Sequence, residues 1–182
     1  MQSLLFLVKT LSDLYLLTFL LRFILQWMRA SSYNPLAQFV WRVTNPLVRP
    51  VRRVVPGTGP IDLATLIVLL VLECAATWAL LAIVGARAPI PTFALFVALR
   101  LVNLALWFYT VAIFIYALLS WFAQSAYSPM GAVLGDLVEP LLRPARRILP
   151  PIAGLDIAPA LVVILLFAIL IGLQSGLPTF LR

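Results

Sequence analysis

Four apolar runs dominate the chain: Leu4 to about Met28, Leu63 to about Val84, about Thr92 to Phe122, and Asp156 to about Leu173. Runs near twenty residues long match the hydrocarbon thickness of a bilayer at helical rise. A single such run could be the buried core helix of a soluble protein. Four of them in 182 residues leave no polar elements to cover them, so lipid must do it. The composition agrees, with 64% of residues hydrophobic, 10% charged and a mean hydropathy of +1.10. Backbone in lipid has to satisfy its own hydrogen bonds, so the expected class is an all-α polytopic membrane protein with four transmembrane helices. The first run is not expected to be a cleaved leader, because it lacks a basic start and carries Lys9 and Asp13.

A repeat divides the spans into pairs. The stretch Arg29 to Asp62 recurs without a gap from Ala123 to Asp156. Trp27 matches Trp121, Asn34-Pro35 matches Ser128-Pro129, and Asn45-Pro46 matches Glu139-Pro140. Arg49-Pro50 matches Arg143-Pro144, Arg52-Arg53 matches Arg146-Arg147, Pro56 matches Pro150, and Asp62 matches Asp156. A recurrence that keeps its length marks a structural unit. The expected architecture is two tandem parallel repeats, residues 1–88 and 89–182. Each is a pair of spans joined by a basic, proline-rich interfacial segment.

Within the first segment, Asn34-Pro35 and Asn45-Pro46 each place a capping side chain before a proline suited to a helix start. This predicts two short helices, about 35–43 and 46–54, with Pro50 bending or shortening the second. Ser128-Pro129 and Glu139-Pro140 predict the same in the second copy, with Pro144 in place of Pro50. Asp62 and Asp156 are expected to cap the spans that follow. Apolar-and-basic helices of this kind lie in the membrane interface; a re-entrant hairpin between the spans is the alternative.

The formal charge is +7. In a soluble chain this would suggest nucleic acid. Here the arginines gather beside spans, at Arg42, Arg49, Arg52 and Arg53 and at Arg143, Arg146 and Arg147, which points to topology and to anionic phospholipid. No nucleic-acid partner is expected. The side opposite the two segments offers Arg87 and Arg182 outside the spans. The positive-inside rule therefore predicts cytoplasmic basic segments and both termini on the periplasmic side.

The spans are not wholly apolar. At 1.5 Å per residue from the outer face, Lys9 lies about 8 Å deep, Arg100 about 10–12 Å, Asp13 about 14 Å and Glu73 about 15–18 Å. Asn103 falls near the level of Glu73. Lys9 and Asp13 are four apart on one helical face and can pair. Two cations and two anions are thus expected to meet in the outer half of the bundle, with Asn103 beside them. A lone charge there would cost several kcal/mol. The set can be a neutral brace, an ion or proton site, or the counterpart of a partner's spans. With no His and a single Cys, Cys74, the chain has no Ser-His or Cys-His pair, no disulfide of its own and no zinc-finger spacing. No enzyme, metal or cofactor is expected.

The repeated segments, with their pattern x-P-L-x-R-P-x-R-R-x-x-P, resemble the signature of the YggT family, and the resemblance covers nearly the whole chain. It implies a bacterial inner-membrane protein with two domains of one type, and relatives associated with osmotic or ion homeostasis or with assembly of membrane complexes. It assigns no role to any residue here. Two functional readings follow. One is a scaffold or assembly factor whose basic platform binds anionic lipid and a membrane-protein partner or a second copy of the chain. The other is a small transport or ion-homeostasis protein using Lys9, Asp13, Glu73 and Arg100.

Overall fold

The computed structural model describes residues 2–28, 34–55, 62–121, 129–149 and 156–181. Pro56, Ser128 and Pro150 of the repeat motif lie outside the described residues. The elements are all helical: α1 (Gln2–Trp27), α2 (Pro35–Val54), α3 (Leu63–Ile83), α4 (Ile90–Trp121), α5 (Pro129–Ile148) and α6 (Ala158–Ser175). Of these, α1, α3, α4 and α6 are each long and apolar enough to cross a membrane. The chain is an all-α, multi-pass membrane protein. Its spanning helices leave large apolar side chains exposed along their lengths, among them Phe6, Leu14, Val71, Trp78, Phe114 and Ile171. Such a surface is stable against acyl chains and not against water.

The connecting segments are where expectation and structure part. Each holds one helix of 20 residues, not two short ones, and each runs through both internal prolines, Pro46 and Pro50 in α2 and Pro140 and Pro144 in α5. An interior proline removes one backbone donor and crowds the carbonyl four residues earlier. All four prolines lie on exposed faces, away from the packed stripe of each helix. The opposite face of α2 holds the helix to the bundle through Ala37, Val40, Thr44 and Val48. Phe39 is exposed.

Helix ends follow local chemistry. Asn34 Oδ1 accepts from the Leu36 amide at 2.9 Å, with Pro35 opening α2. Asp62 caps α3 by accepting from the Thr65 amide at 3.3 Å and the Thr65 hydroxyl at 2.6 Å. Asp156 accepts from the Ala158 amide at 3.0 Å where α6 begins. The turn out of α3 uses Gly85 at φ 69°, with the Gly85 amide bonded to the Ala82 carbonyl and the Ala86 amide to the Leu81 carbonyl. That pair of bonds is the left-handed helix stop in which glycine avoids a Cβ clash.

Two compact units form: Met1–Ala105 with Leu173–Arg182, and Leu106–Gly172. In the first, α1 packs on α3 and both pack on α2. Leu16, Phe19, Val48, Ala64, Val68 and Leu69 are its buried core at that end, flanked by Leu101 and Leu104 of α4. A second apolar cluster, Leu80, Leu177 and Leu181, packs with Leu5, Val8, Phe96 and Leu99. The residues after α6 thus fold back over the ends of α1, α3 and α4. In the second unit, Trp107 and Phe167 meet edge to face at 5.8 Å, and Leu137, Val138 and Leu142 of α5 are buried.

Candidate functional site

Between the two apolar clusters of the first unit runs a chain of charges. Lys9 Nζ donates to Asp13 Oδ2 at 2.8 Å, one turn along α1. Arg100 of α4 donates through Nη2 to Asp13 Oδ1 at 2.8 Å and through Nε to Glu73 Oε1 at 2.5 Å. Thr77, one turn beyond Glu73 on α3, donates its hydroxyl to the same oxygen at 3.0 Å. The charges alternate in sign and cancel. Glu73 and Arg100 are 1% and 4% exposed, whereas Lys9 and Asp13 are only partly buried. Arg100 Nη1 is buried without a hydrogen-bond partner among the described residues. The network crosses three spanning helices, so it ties α1, α3 and α4 together at one level.

Asn103 is not part of it. Its Oδ1 accepts from Gln174 Nε2 in the last turn of α6 at 3.3 Å. Lys9 likewise bonds Asp13 and not Glu73. Helical rise orders these residues along each span. Rise along one helix carries no information about which neighbour a helix face meets.

A second polar node joins α1, α2 and the start of α3. Arg22 is 2% exposed. Its Nη1 donates to Thr44 Oγ1 at 2.7 Å and to Asn45 Oδ1 at 2.9 Å, and its buried Nε stands 3.8 Å from Asp62 Oδ2 without a hydrogen bond. Asn45 therefore serves as an acceptor for Arg22 and caps nothing. The Thr44 hydroxyl itself donates a hydrogen bond to the Val40 carbonyl at 2.6 Å. Arg52 pairs with Asp62, and Gln26 accepts from Arg52 at 3.4 Å. Burial pushes the Asp62 carboxyl up, but the Thr65 hydrogen bonds and the Arg52 charge outweigh it and hold the group below its ordinary value. Sequence reading missed Arg22, whose repeat counterpart is Tyr116, so the recurrence gave no signal.

The second unit repeats the clamp and alters its surroundings. Arg146 Nε donates to Asp156 Oδ2 at 2.8 Å, as Arg52 does to Asp62. Arg146 Nη1 also reaches Glu139 Oε2 at 2.6 Å, and Arg143 Nε reaches Glu139 Oε1 at 3.3 Å. Glu139 is thus an ion-pair partner and not a helix cap. Burial lowers the Arg146 guanidinium, yet Tyr116, Asp156 and Glu139 more than offset it and leave it above its ordinary value. Of the arginines expected to form a platform, Arg52, Arg143 and Arg146 are engaged in ion pairs. Arg42, Arg49, Arg53 and Arg147 are exposed and make no ion pair among the described residues.

Along α2 these features sort by helical angle. Ala37, Val40, Thr44 and Val48 face the bundle. Phe39, Leu47 and Val54 are exposed on one flank, and Arg42, Arg49 and Arg53 on the other. A helix with one flank apolar and the other basic suits the boundary between acyl chains and headgroups. Among the described residues no group of three His, Cys, Asp or Glu side chains is placed to hold a metal ion.

The sequence profile of the family described as CCB3/YggT matches this chain twice, over residues 1–83 and 95–177. The Uncharacterized protein YggT of Escherichia coli (strain K12) is 38% identical over 177 residues, covering 97% of this chain and 92% of that protein. A protein of Vibrio alginolyticus, described by its place in the proC 3' region, is 40% identical over 179 residues, or 96% of this chain and 91% of its own length. An uncharacterized Pseudomonas aeruginosa protein is 38% identical over 156 residues, covering 85% of this chain and 79% of its own. No solved structure matches the chain. With two profile matches and these relatives, the chain belongs to the CCB3/YggT family.

Proposed function

We propose that this protein is a membrane scaffold built from two tandem parallel repeats, residues 1–88 and 89–182. Its amphipathic helices form a basic cytoplasmic platform that holds anionic phospholipid and a membrane-protein partner or a second copy of the chain. The observation that carries this reading is α2, where Arg42, Arg49 and Arg53 stand exposed and without an ion pair among the described residues, beside the exposed Phe39, Leu47 and Val54. The twofold profile match and the recurrence of one clamp, Arg52–Asp62 and Arg146–Asp156, support the repeat. In each copy that clamp ties the end of an amphipathic helix to the start of the next span. Two apolar helices separate α2 from α5, so a membrane-spanning path returns both segments to one side, and their arginines favour the cytoplasm.

The transport reading would use the Lys9–Asp13–Arg100–Glu73 network. Every charge in it already has a partner of opposite sign, and apolar clusters lie beyond it toward both helix ends. That arrangement supports a brace between helices. Purified protein in liposomes is expected to pass neither protons nor alkali cations above the protein-free background. Flux that is lost in Glu73→Gln while that variant stays folded would replace the scaffold with a transporter.

A further inference from the structure

We infer that anionic-lipid binding is confined to the first amphipathic helix, α2, and that α5 is a charge-balanced copy that lies at the membrane without selecting its headgroups. This inference rests on the scaffold reading and narrows its lipid platform to one of the two repeats.

The two helices share a buried stripe, an apolar flank and the clamp to the following span. They differ along the polar flank. Arg42 of α2 becomes Asp136 in α5, and Asn45 becomes Glu139; Arg49 and Arg53 remain as Arg143 and Arg147. In α5, Glu139 takes up both Arg143 and Arg146. In α2, the position of Glu139 is held by Asn45, a neutral side chain that is itself occupied by Arg22. The surrounding node follows the same trend. In the first unit, Arg22 and Arg52 share one carboxylate, Asp62. In the second, Arg146 stands between two carboxylates, Asp156 and Glu139.

Each group counts once in the resulting balance. In the first copy, α2 and its polar node set Arg22, Arg42, Arg49, Arg52 and Arg53 against Asp62. The second sets Arg143, Arg146 and Arg147 against Asp136, Glu139 and Asp156. The first is therefore strongly cationic and the second neutral. An anionic leaflet attracts a basic helix in proportion to its uncompensated charge, over about 8–10 Å at moderate salt. The apolar flank of α2 sets its exposed arginines at headgroup level, whereas α5, with Ile148 exposed on its corresponding flank, brings no net charge there once its clamp partner Asp156 is counted. The occupant that fits α2 is a phospholipid with a net negative headgroup, such as phosphatidylglycerol.

The full-length protein is tested in dioleoylphosphatidylglycerol–dioleoylphosphatidylcholine nanodiscs. Native mass spectrometry after release from the discs reads the ratio of retained phosphatidylglycerol to phosphatidylcholine. The triple variant Arg42→Gln, Arg49→Gln, Arg53→Gln should lose roughly tenfold or more of that enrichment. The pair Arg143→Gln, Arg147→Gln should change it by less than about twofold. The reverse change, Asp136→Arg with Glu139→Asn, leaves α2 untouched and should add retained phosphatidylglycerol, so the inference stays testable even if the triple variant does not fold. Equal losses from the α2 and α5 variants, or no gain from the reverse change, would overturn the asymmetry and leave the two-copy platform standing. No phosphatidylglycerol enrichment in the unaltered protein would instead overturn the platform reading itself.

Discussion

Glu73 persists in an apolar helix because Arg100 and Thr77 both donate to it, and Arg100 is in turn neutralised by Asp13. Replacing Glu73 by Gln leaves a buried guanidinium short of one counter-charge. Breaking a buried pair from one side costs about 3–5 kcal/mol. The melting temperature in detergent should fall, and Arg100→Met in the same chain should recover part of the loss. Lys9→Met should not, since Lys9 bonds only Asp13 within the network. A Glu73→Gln protein that melts with its parent and shows no coupling to Arg100 in a double-mutant cycle would remove the brace. Asp62 makes a different prediction, in pH. Its folded carboxyl titrates below the ordinary 3.8, so it stabilises the fold fully above that value. The contribution is lost as pH falls through the folded pKa. Stability should drop on the acid side of pH 4, and Asp62→Asn should flatten that drop while lowering the plateau.

At the scale of elements, Asn34 and Asn45 precede prolines in the same way and do different work. Asn34 opens α2, and Asn34→Ala should cost about 1 kcal/mol of stability, as for an ordinary cap. Asn45 sits in mid-helix with its side chain on Arg22. Asn45→Ala should therefore couple to Arg22→Met in a double-mutant cycle, while Asn34→Ala should add to Arg22→Met independently. Additive behaviour of Asn45 and Arg22 would mean that the contact contributes nothing. The asparagine-proline pair is a sound start signal where the chain enters from a loop. Where a buried stripe continues through it, packing along Val40, Thr44 and Val48 outweighs the lost donor of Pro46.

For the whole molecule, the proposed orientation rests on where the arginines stand. In a Cys74→Ser background, cysteines at the exposed Gln38 of α2 and its counterpart Ala132 of α5 should resist an impermeant thiol reagent in intact cells and react after permeabilisation. Labelling of either in intact cells would invert or split the proposed topology. Compactness divides the chain inside α4 and α6, not at the join of the two recurrences. The recurrence describes how the sequence is composed, and the units describe where side chains pack.

The four apolar spans, the membrane as solvent, the two recurring basic segments and the caps at Asn34 and Asp62 were legible in the sequence. Each depends on quantities ordered along the chain: a run length against a bilayer thickness, a spacing of 94 between Trp27 and Trp121, or a side chain beside its own backbone. The Lys9–Asp13 pair was legible for the same reason, since four residues return a helix to one face. The fusion of each predicted helix pair into one, the burial of Arg22 on Thr44 and Asn45, the choice of Arg100 over Lys9 by Glu73, and the departure of Asn103 to Gln174 were decided by tertiary structure alone. Those outcomes depend on the rotation of each helix about its axis relative to its neighbours. Rotation is set by how all the packed faces fit at once, and a single helix read from sequence leaves it open.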